Sequence, residues 1–321
     1  MRIQLNSLLS KFKQPGNLYD QNAIFIDVRW LWTAVPGACL VAFAFWEIFQ
    51  DLFHPALSGS FSGWVGRSTF PLFRRYRPSL LSMAGPLTFV IVIFSWALLQ
   101  ALGFALIYWV AFPQDFQLNP SNQSGEAHGF WMILYYSLEV MTTLGLGDVL
   151  PKTDWLRLLA TFQALVGFAL LTASLSYIVL IYPALGRLRS LARRTEILVE
   201  AARKTGIDVV SGSAERLIGD LADGVIQARV DFMHFPIIYY FHSDHRRSSL
   251  AHSLPVLLRF VEDGSTQDAP ERVRLAAAVL QGALEDLAHV LSRRFIHATS
   301  SDPGAIFRAY AEEHLLAAGH D

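Results

Sequence analysis

The chain has 321 residues, of which 53% are hydrophobic, 13% aromatic and only 17% charged, and its mean hydropathy is +0.34. An ordinary soluble domain does not need so large an apolar fraction to fill its core, so the composition predicts a membrane protein. A formal net charge of -1 at pH 7 gives no sign of a nucleic-acid-binding surface, and the single cysteine, Cys39, excludes an internal disulfide.

The first 20 residues, MRIQLNSLLSKFKQPGNLYD, are polar and lack the apolar core of a cleavable signal peptide, so none is expected there. Three apolar segments are long enough to cross a bilayer, which takes about 20 residues: 30–53, 86–112 and 155–182. The second and third are almost free of charge and are predicted to span the membrane. The first is interrupted by Pro36 and Gly37 and carries Glu47 and Asp51 near its end, so it is either a third span or an interfacial helix.

Basic residues flank the second and third segments on one side of the membrane. The loop before the second contains Arg67, Arg74, Arg75 and Arg77, and the stretch after the third contains Arg187, Arg189, Arg193, Arg194, Arg203 and Lys204. Both are predicted to be cytoplasmic, because positively charged loops stay on that side. The segment 114–128 has no Lys or Arg and is predicted to be external. A spanning first segment would leave a basic N-terminus outside, so the interfacial alternative stays open.

The segment between the two clean spans contains a helix that is too short to cross. Residues 129–141, GFWMILYYSLEVM, form an apolar stretch of about three and a half helical turns, so the chain must enter the membrane and return. The sequence TTLGLGD follows at 142–148. Non-helical backbone is tolerated at membrane depth only inside protein or beside a watery cavity. Gly145 and Gly147 can adopt backbone angles that a side chain forbids, and alternate residues can then aim their carbonyls at an ion.

Over roughly residues 86–182 this pattern resembles the tetrameric potassium-channel superfamily, and within it the bacterial channels with two core transmembrane helices and one pore loop. The family's filter is matched by Thr142, Thr143, Gly145, Gly147 and Asp148. Its pore helix is matched by the aromatic pair Tyr135 and Tyr136 and by Glu139, the acid that supports the filter. Pro151 matches the outer turn, Trp155, Leu156 and Arg157 match the entry to the inner helix, and Gly167 matches the hinge glycine. Leu144 replaces the family's valine. Leu146 replaces its tyrosine and cannot donate a hydroxyl hydrogen bond to surrounding aromatic side chains.

The resemblance implies a cation channel that conducts potassium passively. Potassium would bind the backbone carbonyls of Thr143, Leu144, Gly145 and Leu146, with no other cofactor and no enzymatic activity. Because one chain supplies a quarter of such a filter, a homotetramer surrounded by lipid is expected, as a multi-pass protein of the plasma membrane, here the bacterial inner membrane. The alternatives are a non-selective cation channel and a non-conducting membrane sensor or scaffold that keeps the pore fold.

The inner helix of such a channel lines the cavity below the filter. At helical spacing its candidates are Leu171, Leu175 and Val179. Pro183 is expected to end this wall. Gly167 is interpreted either as the gating hinge or as a close-packing glycine. The resemblance also suggests a hydrogen bond between Glu139 and Asp148.

The expected fold class is an all-α membrane protein with two core transmembrane helices, a re-entrant pore helix and filter, an extra N-terminal membrane helix and a helical cytoplasmic domain. The predicted boundaries are 1–29 for the N-terminal segment, 30–85 for the extra helix and basic loop, 86–184 for the pore domain and 185–321 for the cytoplasmic domain. Apolar residues three and four apart predict helices throughout 185–321. No G-x-G-x-x-G motif indicates a nucleotide-binding domain there, so its ligand or partner stays unidentified, although it is expected to modulate gating.

Four histidines lie close together in the cytoplasmic part of the sequence: His234, His242, His245 and His252, with Asp244 among them. Their spacing matches no structural zinc motif, and Arg246 and Arg247 would repel a cation, so surface or core positions are favoured over a metal or proton-sensing site. The apolar stretch FPIIYYF at 235–241 is interpreted as core or as a contact with a neighbouring subunit.

Overall fold

The computed structural model describes residues 30–53, 63–65, 68–69, 84–118, 129–206, 209, 215–241, 249–296 and 300–315. Its helices are α1 (Val35–Phe53), α2 (Ala84–Trp109), α3 (Phe130–Met141), α4 (Asp154–Thr205), α5 (Glu215–His234), α6 (Leu250–Gly264), α7 (Glu271–Leu291) and α8 (Pro303–Leu315). Shorter helical turns are Trp30–Ala34, Pro236–Tyr240 and Ser292–Ile296. The strands β1 (Phe116–Leu118) and β2 (Val149–Pro151) form one small sheet.

The predicted all-α fold class is confirmed, because helices make up nearly all the regular structure of the described residues. The N-terminal segment 1–29 and the arginines at 67, 74, 75 and 77 lie outside those residues.

Three helices in the described part of the chain are long and apolar enough to cross a membrane: Trp32–Asp51, Gly85–Trp109 and Asp154–Thr205. Each predicted segment falls on one of them. Pro36 does not interrupt the first helix, because it lies in the first turn of α1, where a missing N–H is tolerated. Gly37 marks a close contact, since a Cβ there would lie 2.6 Å from the backbone oxygen of Gly103 in α2. This packing of α1 against a second apolar helix favours the spanning interpretation of the first segment.

The described residues divide into two compact units, of which the first contains 30–45 and 97–170. It therefore contains α3, both strands and the segment 142–148 that is predicted to form the filter, called the filter segment below. Its fully buried side chains include Phe104, Tyr108, Phe112, Ile133 and Leu156. The strands β1 and β2 pair antiparallel, with Phe116 opposite Pro151 and Leu118 opposite Val149.

The second unit contains the described residues of 46–96 and 171–321. Helices α5 to α8 share one hydrophobic core with the second part of α4. Its fully buried members include Ile218, Phe232, Leu254, Leu280 and Phe307. Phe89 of α2 and Ile181 of α4 belong to the same core. Helices thus fill the described part of 185–321, as predicted, and α4 passes the predicted boundary at 184 without a break.

The prediction that Pro183 ends the inner-helix wall is wrong, because Pro183 lies inside α4, which continues to Thr205. A proline in a helix interior costs about 3 kcal/mol. Beyond it, Leu185, Leu188 and Leu191 are buried in the core of the second unit. A fully buried leucine contributes about 1.5–3 kcal/mol, so these three offset the cost of the proline. The helix ends instead before Gly206, whose φ of 68° is that of a left-handed helix cap.

The stretch FPIIYYF is part of this core. Ile238, Tyr239 and Tyr240 are buried, and the Tyr239 ring stacks on Phe295 with centroids 4.3 Å apart. The Tyr239 hydroxyl donates a hydrogen bond to Glu313. Burial, and after it this hydrogen bond, raise the pKa of Tyr239. The core interpretation is therefore correct for the side chains of one chain.

Two of the four clustered histidines can be placed. His234 and His252 are both exposed on helix surfaces, which agrees with the surface interpretation. His242, His245 and Asp244 lie outside the described residues. Among the residues that the structure describes, no group of His, Cys, Asp or Glu side chains could hold a metal ion.

Candidate ion pathway

The short helix α3 is buried within the first unit, although it is too short to cross a membrane. Its buried side chains are Ile133, Leu134, Tyr136, Ser137, Glu139 and Met141. The Tyr136 ring packs edge-on against Tyr108 of α2 and Phe116 of β1, at centroid distances of 5.2 and 5.3 Å. Aromatic pairs in this geometry stabilise by about 0.5–1.5 kcal/mol beyond their burial. The predicted short helix is therefore present and packs against aromatic side chains, and its re-entry into the membrane stays a prediction.

The C-terminal end of α3 leads directly into the filter segment. The Thr142 hydroxyl donates to the Leu138 carbonyl at 2.8 Å, and the Leu144 N–H donates to the Glu139 carbonyl at 3.0 Å. These bonds turn the chain sharply at the last helical turn. Because a helix C-terminus carries a partial negative charge, this end of α3 favours a cation beside it.

The filter segment alternates in backbone conformation. The φ angles of Thr143, Gly145 and Gly147 are 55°, 63° and 76°, whereas Leu144 and Leu146 keep negative φ. Positive φ was expected of the glycines but not of Thr143, since a β-branched residue in that region is an outlier. Such strain costs about 1–3 kcal/mol and gathers at functional sites. The only sequence signal for Thr143 is its place in the threonine pair of the resembled family.

Alternation of this kind turns successive peptide groups toward one side of the chain. In the related arrangement called a nest, successive N–H groups line one side, so the carbonyls line the other. All six residues 142–147 are exposed in the single chain. A row of exposed carbonyl oxygens can replace the water that surrounds a cation in solution.

The carboxylates of Glu139 and Asp148 each accept a hydrogen bond that helps to hold the filter segment in place. Glu139 Oε1 accepts a hydrogen bond from the Gly147 N–H at 3.1 Å. The Tyr135 hydroxyl donates to the Asp148 carboxylate. Each carboxylate is engaged by a different donor, and the suggested hydrogen bond between Glu139 and Asp148 stays a prediction.

The far end of the filter is anchored by the small sheet. Strand β2 begins directly after Asp148 and pairs with β1. The Lys152 N–H donates to the Asp115 carbonyl at 2.8 Å, and its Nζ donates to the Gln114 carbonyl at 2.9 Å. The Arg157 Nε donates to the Pro151 carbonyl at 3.2 Å. The filter is therefore fixed at both ends, by α3 and by β2.

A buried polar network lies behind the filter and was not predicted. The Tyr108 hydroxyl donates to Gln163 Oε1 at 2.9 Å. Gln163 Nε2 donates to the carbonyl and hydroxyl oxygens of Ser137 at 2.9 and 2.7 Å. The Ser137 hydroxyl donates to the Ala101 carbonyl at 2.7 Å. A sequence signal existed, because Gln163 is a polar residue in the apolar run LLATFQALVGFALL, and polar residues in such runs tend to be functional.

Gly167 lies where α4 passes closest to α3. A Cβ at this position would lie 2.0 Å from the Met141 carbonyl oxygen, so a side chain is excluded. The helix α4 runs through Gly167 without interruption. The packing role of this glycine is therefore visible, and its role as a hinge stays a prediction.

The predicted cavity-lining residues form an exposed apolar stripe on α4. Leu171, Leu175 and Val179 are each 63–68% exposed in the single chain. Leu144 and Leu146 in the filter are exposed to a similar extent, at 60% and 61%. Apolar side chains with this much exposed surface need lipid, a water-filled cavity or another chain around them.

Residues 87–182 match the protein family described as "Ion channel". The match begins near the start of α2 and ends within α4, so it contains the short helix, the filter segment, the sheet and the polar network. The predicted resemblance to an ion channel family is thereby confirmed over this segment, as is the location of the chain in a membrane. The role of 142–148 as a filter stays a prediction.

Two curated proteins are similar to parts of the chain. The chain is 29% identical over 183 residues to the "Uncharacterized membrane protein YdjJ" of Bacillus subtilis, covering 53% of this chain and 50% of that protein. It is 32% identical over 81 residues to the "Two-pore potassium channel 5" of Arabidopsis thaliana, covering 25% of this chain and 20% of that protein. The chain therefore spans half the length of the first relative and a fifth of the length of the second. No solved structure matches it at a significant level.

Proposed function

We propose that the chain is one subunit of a cation channel that prefers potassium and conducts it passively through a carbonyl-lined filter formed by Thr143, Leu144, Gly145, Leu146 and Gly147. The observation that carries this proposal is the alternation of φ from Thr143 to Gly147 at the end of a short buried helix. Such strained backbone is otherwise difficult to explain in a turn between two apolar helices. The match of residues 87–182 to an ion channel family supports the same function.

The proposed assembly is a homotetramer. One chain supplies one row of carbonyl oxygens, which cannot surround a cation. The exposed apolar residues of α4 include Leu158, Leu165, Leu171, Leu175 and Val179. A closed ring of four copies covers the filter leucines and points part of the α4 stripe at a central cavity. Narrowing of such an apolar cavity by the inner helices would stop conduction through loss of water.

The preference for potassium rests on the oxygen ligands and on how rigidly they are held. In this chain Leu146 stands where the resembled family has a tyrosine. The hydrogen bonds from Gly147 to Glu139 and from Tyr135 to Asp148 hold the filter in place without that tyrosine. The plant relative is named as a potassium channel, which agrees with this ion. We therefore infer that the filter discriminates against sodium.

The first test measures ion flux. Purified protein in liposomes is expected to carry potassium faster than sodium when each ion is given the same gradient, because the fixed carbonyls replace the hydration shell of potassium. Liposomes without protein are the control. Equal fluxes of both ions would favour a non-selective cation channel. Absence of flux for either ion, with the protein assembled, would favour the non-conducting sensor or scaffold.

We further infer that the helical domain beyond the pore modulates gating from the cytoplasm. Arg187 of α4 donates two hydrogen bonds to the buried carboxylate of Asp231 in α5, at 2.9 and 2.7 Å. These bonds raise the pKa of Arg187. Because α4 is continuous and shares the core of α5 to α8, a movement of those helices is transmitted to the inner helix. The ligand or partner that drives the movement is unidentified.

The second test addresses orientation in the proposed bacterial inner membrane. Cysteines replace the exposed residues Gln117 and Ser190 one at a time, in a background where the exposed Cys39 is changed to alanine. An impermeant thiol reagent is expected to label Gln117→Cys from outside and Ser190→Cys only from the cytoplasmic side, because arginines follow the third span. Labelling of both variants from the same side would contradict a cytoplasmic C-terminal domain.

A further inference from the structure

We propose that Gln163 is a positioning residue for ion selectivity, which keeps the filter in its ion-binding geometry by fixing the inner helix α4 against the pore helix α3. The assignment rests on the proposed channel function. It concerns a side chain that does not touch the ion pathway and acts through the backbone of α3.

Gln163 is fully buried and its amide is fully used. Its Oε1 accepts from Tyr108 of α2, and its Nε2 donates to both oxygens of Ser137 in α3. A primary amide has two N–H donors, so none is left over. One side chain therefore connects α2, α3 and α4, and removing it would leave a buried hydroxyl and a buried carbonyl without these partners.

The contacts of Gln163 and Gly167 set the alignment of α4 on α3. Gln163 meets Ser137, and one turn later Gly167 lies against the Met141 carbonyl. Gln163 and Gly167 are four residues apart on α4, and Ser137 and Met141 are four residues apart on α3. Each helix therefore presents its two contact residues on one face. A rotation or shift of α4 would break the bonds of Gln163, whereas the glycine contact alone has no directional bond to resist it.

The position of α3 in turn determines the filter. Glu139, which receives the Gly147 N–H, is two residues after Ser137, and the strained Thr143 is two residues after Met141. A displacement of α3 would therefore move the support of the last filter glycine and the start of the carbonyl row together. Small errors in ligand placement weaken binding sites that are built from fixed groups.

The experiment compares Gln163→Leu and Tyr108→Phe with the unchanged protein in the same liposomes. The potassium-to-sodium flux ratio is expected to fall about threefold to twentyfold in Gln163→Leu and less in Tyr108→Phe, the range that corresponds to hydrogen bonds between membrane helices. Raising the potassium concentration is expected to restore part of the ratio, because an ion that binds only the ordered filter stabilises it by mass action. A variant that was only less stable would keep the ratio of the unchanged protein in the channels that assemble.

The matched control is Thr161→Val, two residues away on the same helix. The Thr161 hydroxyl donates only within α4, to the Arg157 carbonyl at 2.9 Å, and the residue is exposed. This variant is expected to keep the ratio of the unchanged protein. A double variant with Ser137→Ala tests the pair directly, since the effects of two bonded partners are not additive.

The outcomes separate this assignment from the proposed function. Absence of potassium preference in the unchanged protein overturns the proposed function itself. A selective unchanged protein, with the same ratio in an assembled Gln163→Leu variant, overturns only the role of Gln163. If Gln163→Leu does not assemble, Tyr108→Phe decides, and an unaltered ratio in that variant overturns the role as well.

Discussion

Replacing Gly145 by alanine is expected to abolish selective potassium flux while leaving the chain able to fold. The φ of Gly145 is 63°, and among the described residues, apart from Gly145 and its two chain neighbours, no atom lies within 4 Å of an added Cβ. The effect therefore comes from backbone preference and not from overlap within the chain. A left-handed conformation costs a residue with a side chain about 1–2 kcal/mol, or about 4–8 kcal/mol over the four chains of the proposed tetramer. The carbonyl row is expected to relax toward a negative φ and lose its ion-binding alignment.

Gly206→Ala is the matched control for this change. Gly206 has a similar φ of 68°, has nothing within 4 Å of an added Cβ, and lies after α4 and outside the filter. The same backbone cost is expected to lower the thermal midpoint of Gly206→Ala and to leave its potassium flux intact. Flux and potassium-to-sodium ratio are measured in liposomes for both variants. Normal selective flux in Gly145→Ala would show that ions do not pass this segment.

The membrane architecture was predictable because it follows from length and polarity alone. An apolar segment of 86–112 has few alternatives to spanning, and a short apolar helix followed by glycines has few alternatives to a re-entrant loop. The positions of Gly145 and Gly147 followed from the freedom that only glycine has. These features depend on local chemistry, so one sequence was enough to find them.

Tertiary packing explains what the sequence did not reveal. The helix-breaking tendency of Pro183 is overridden by leucines that find partners in α5 to α8, and those partners are distant in the sequence. The hydrogen bond from the Gly147 backbone N–H to Glu139 Oε1 was not predicted either, because it depends on how sharply the chain turns after α3. The left-handed Thr143 is likewise imposed by anchors on both sides and opposes its own preference.

Gly167→Ala is expected to lower the thermal stability of the assembled protein and to impair conduction. The added Cβ would lie 2.0 Å from the Met141 carbonyl oxygen, far inside van der Waals contact, so α4 must move away from α3. Overpacking of this kind typically costs about 1–3 kcal/mol. The movement would also pull Gln163 from Ser137, because the two contacts lie one helical turn apart.

Gly186→Ala is the control, since Gly186 lies in the same helix and has nothing within 4 Å of an added Cβ. Alanine in a helix interior is favoured over glycine by about 0.5–1 kcal/mol, so this variant is expected to be slightly more stable. The comparison separates the two interpretations of Gly167. A residue that served only as a hinge would behave like Gly186 in thermal unfolding, gaining stability while channel opening becomes rarer. If Gly167 instead holds α4 against α3, the Gly167→Ala variant loses stability. A raised thermal midpoint in Gly167→Ala would therefore contradict the packing role and leave only the role as a hinge.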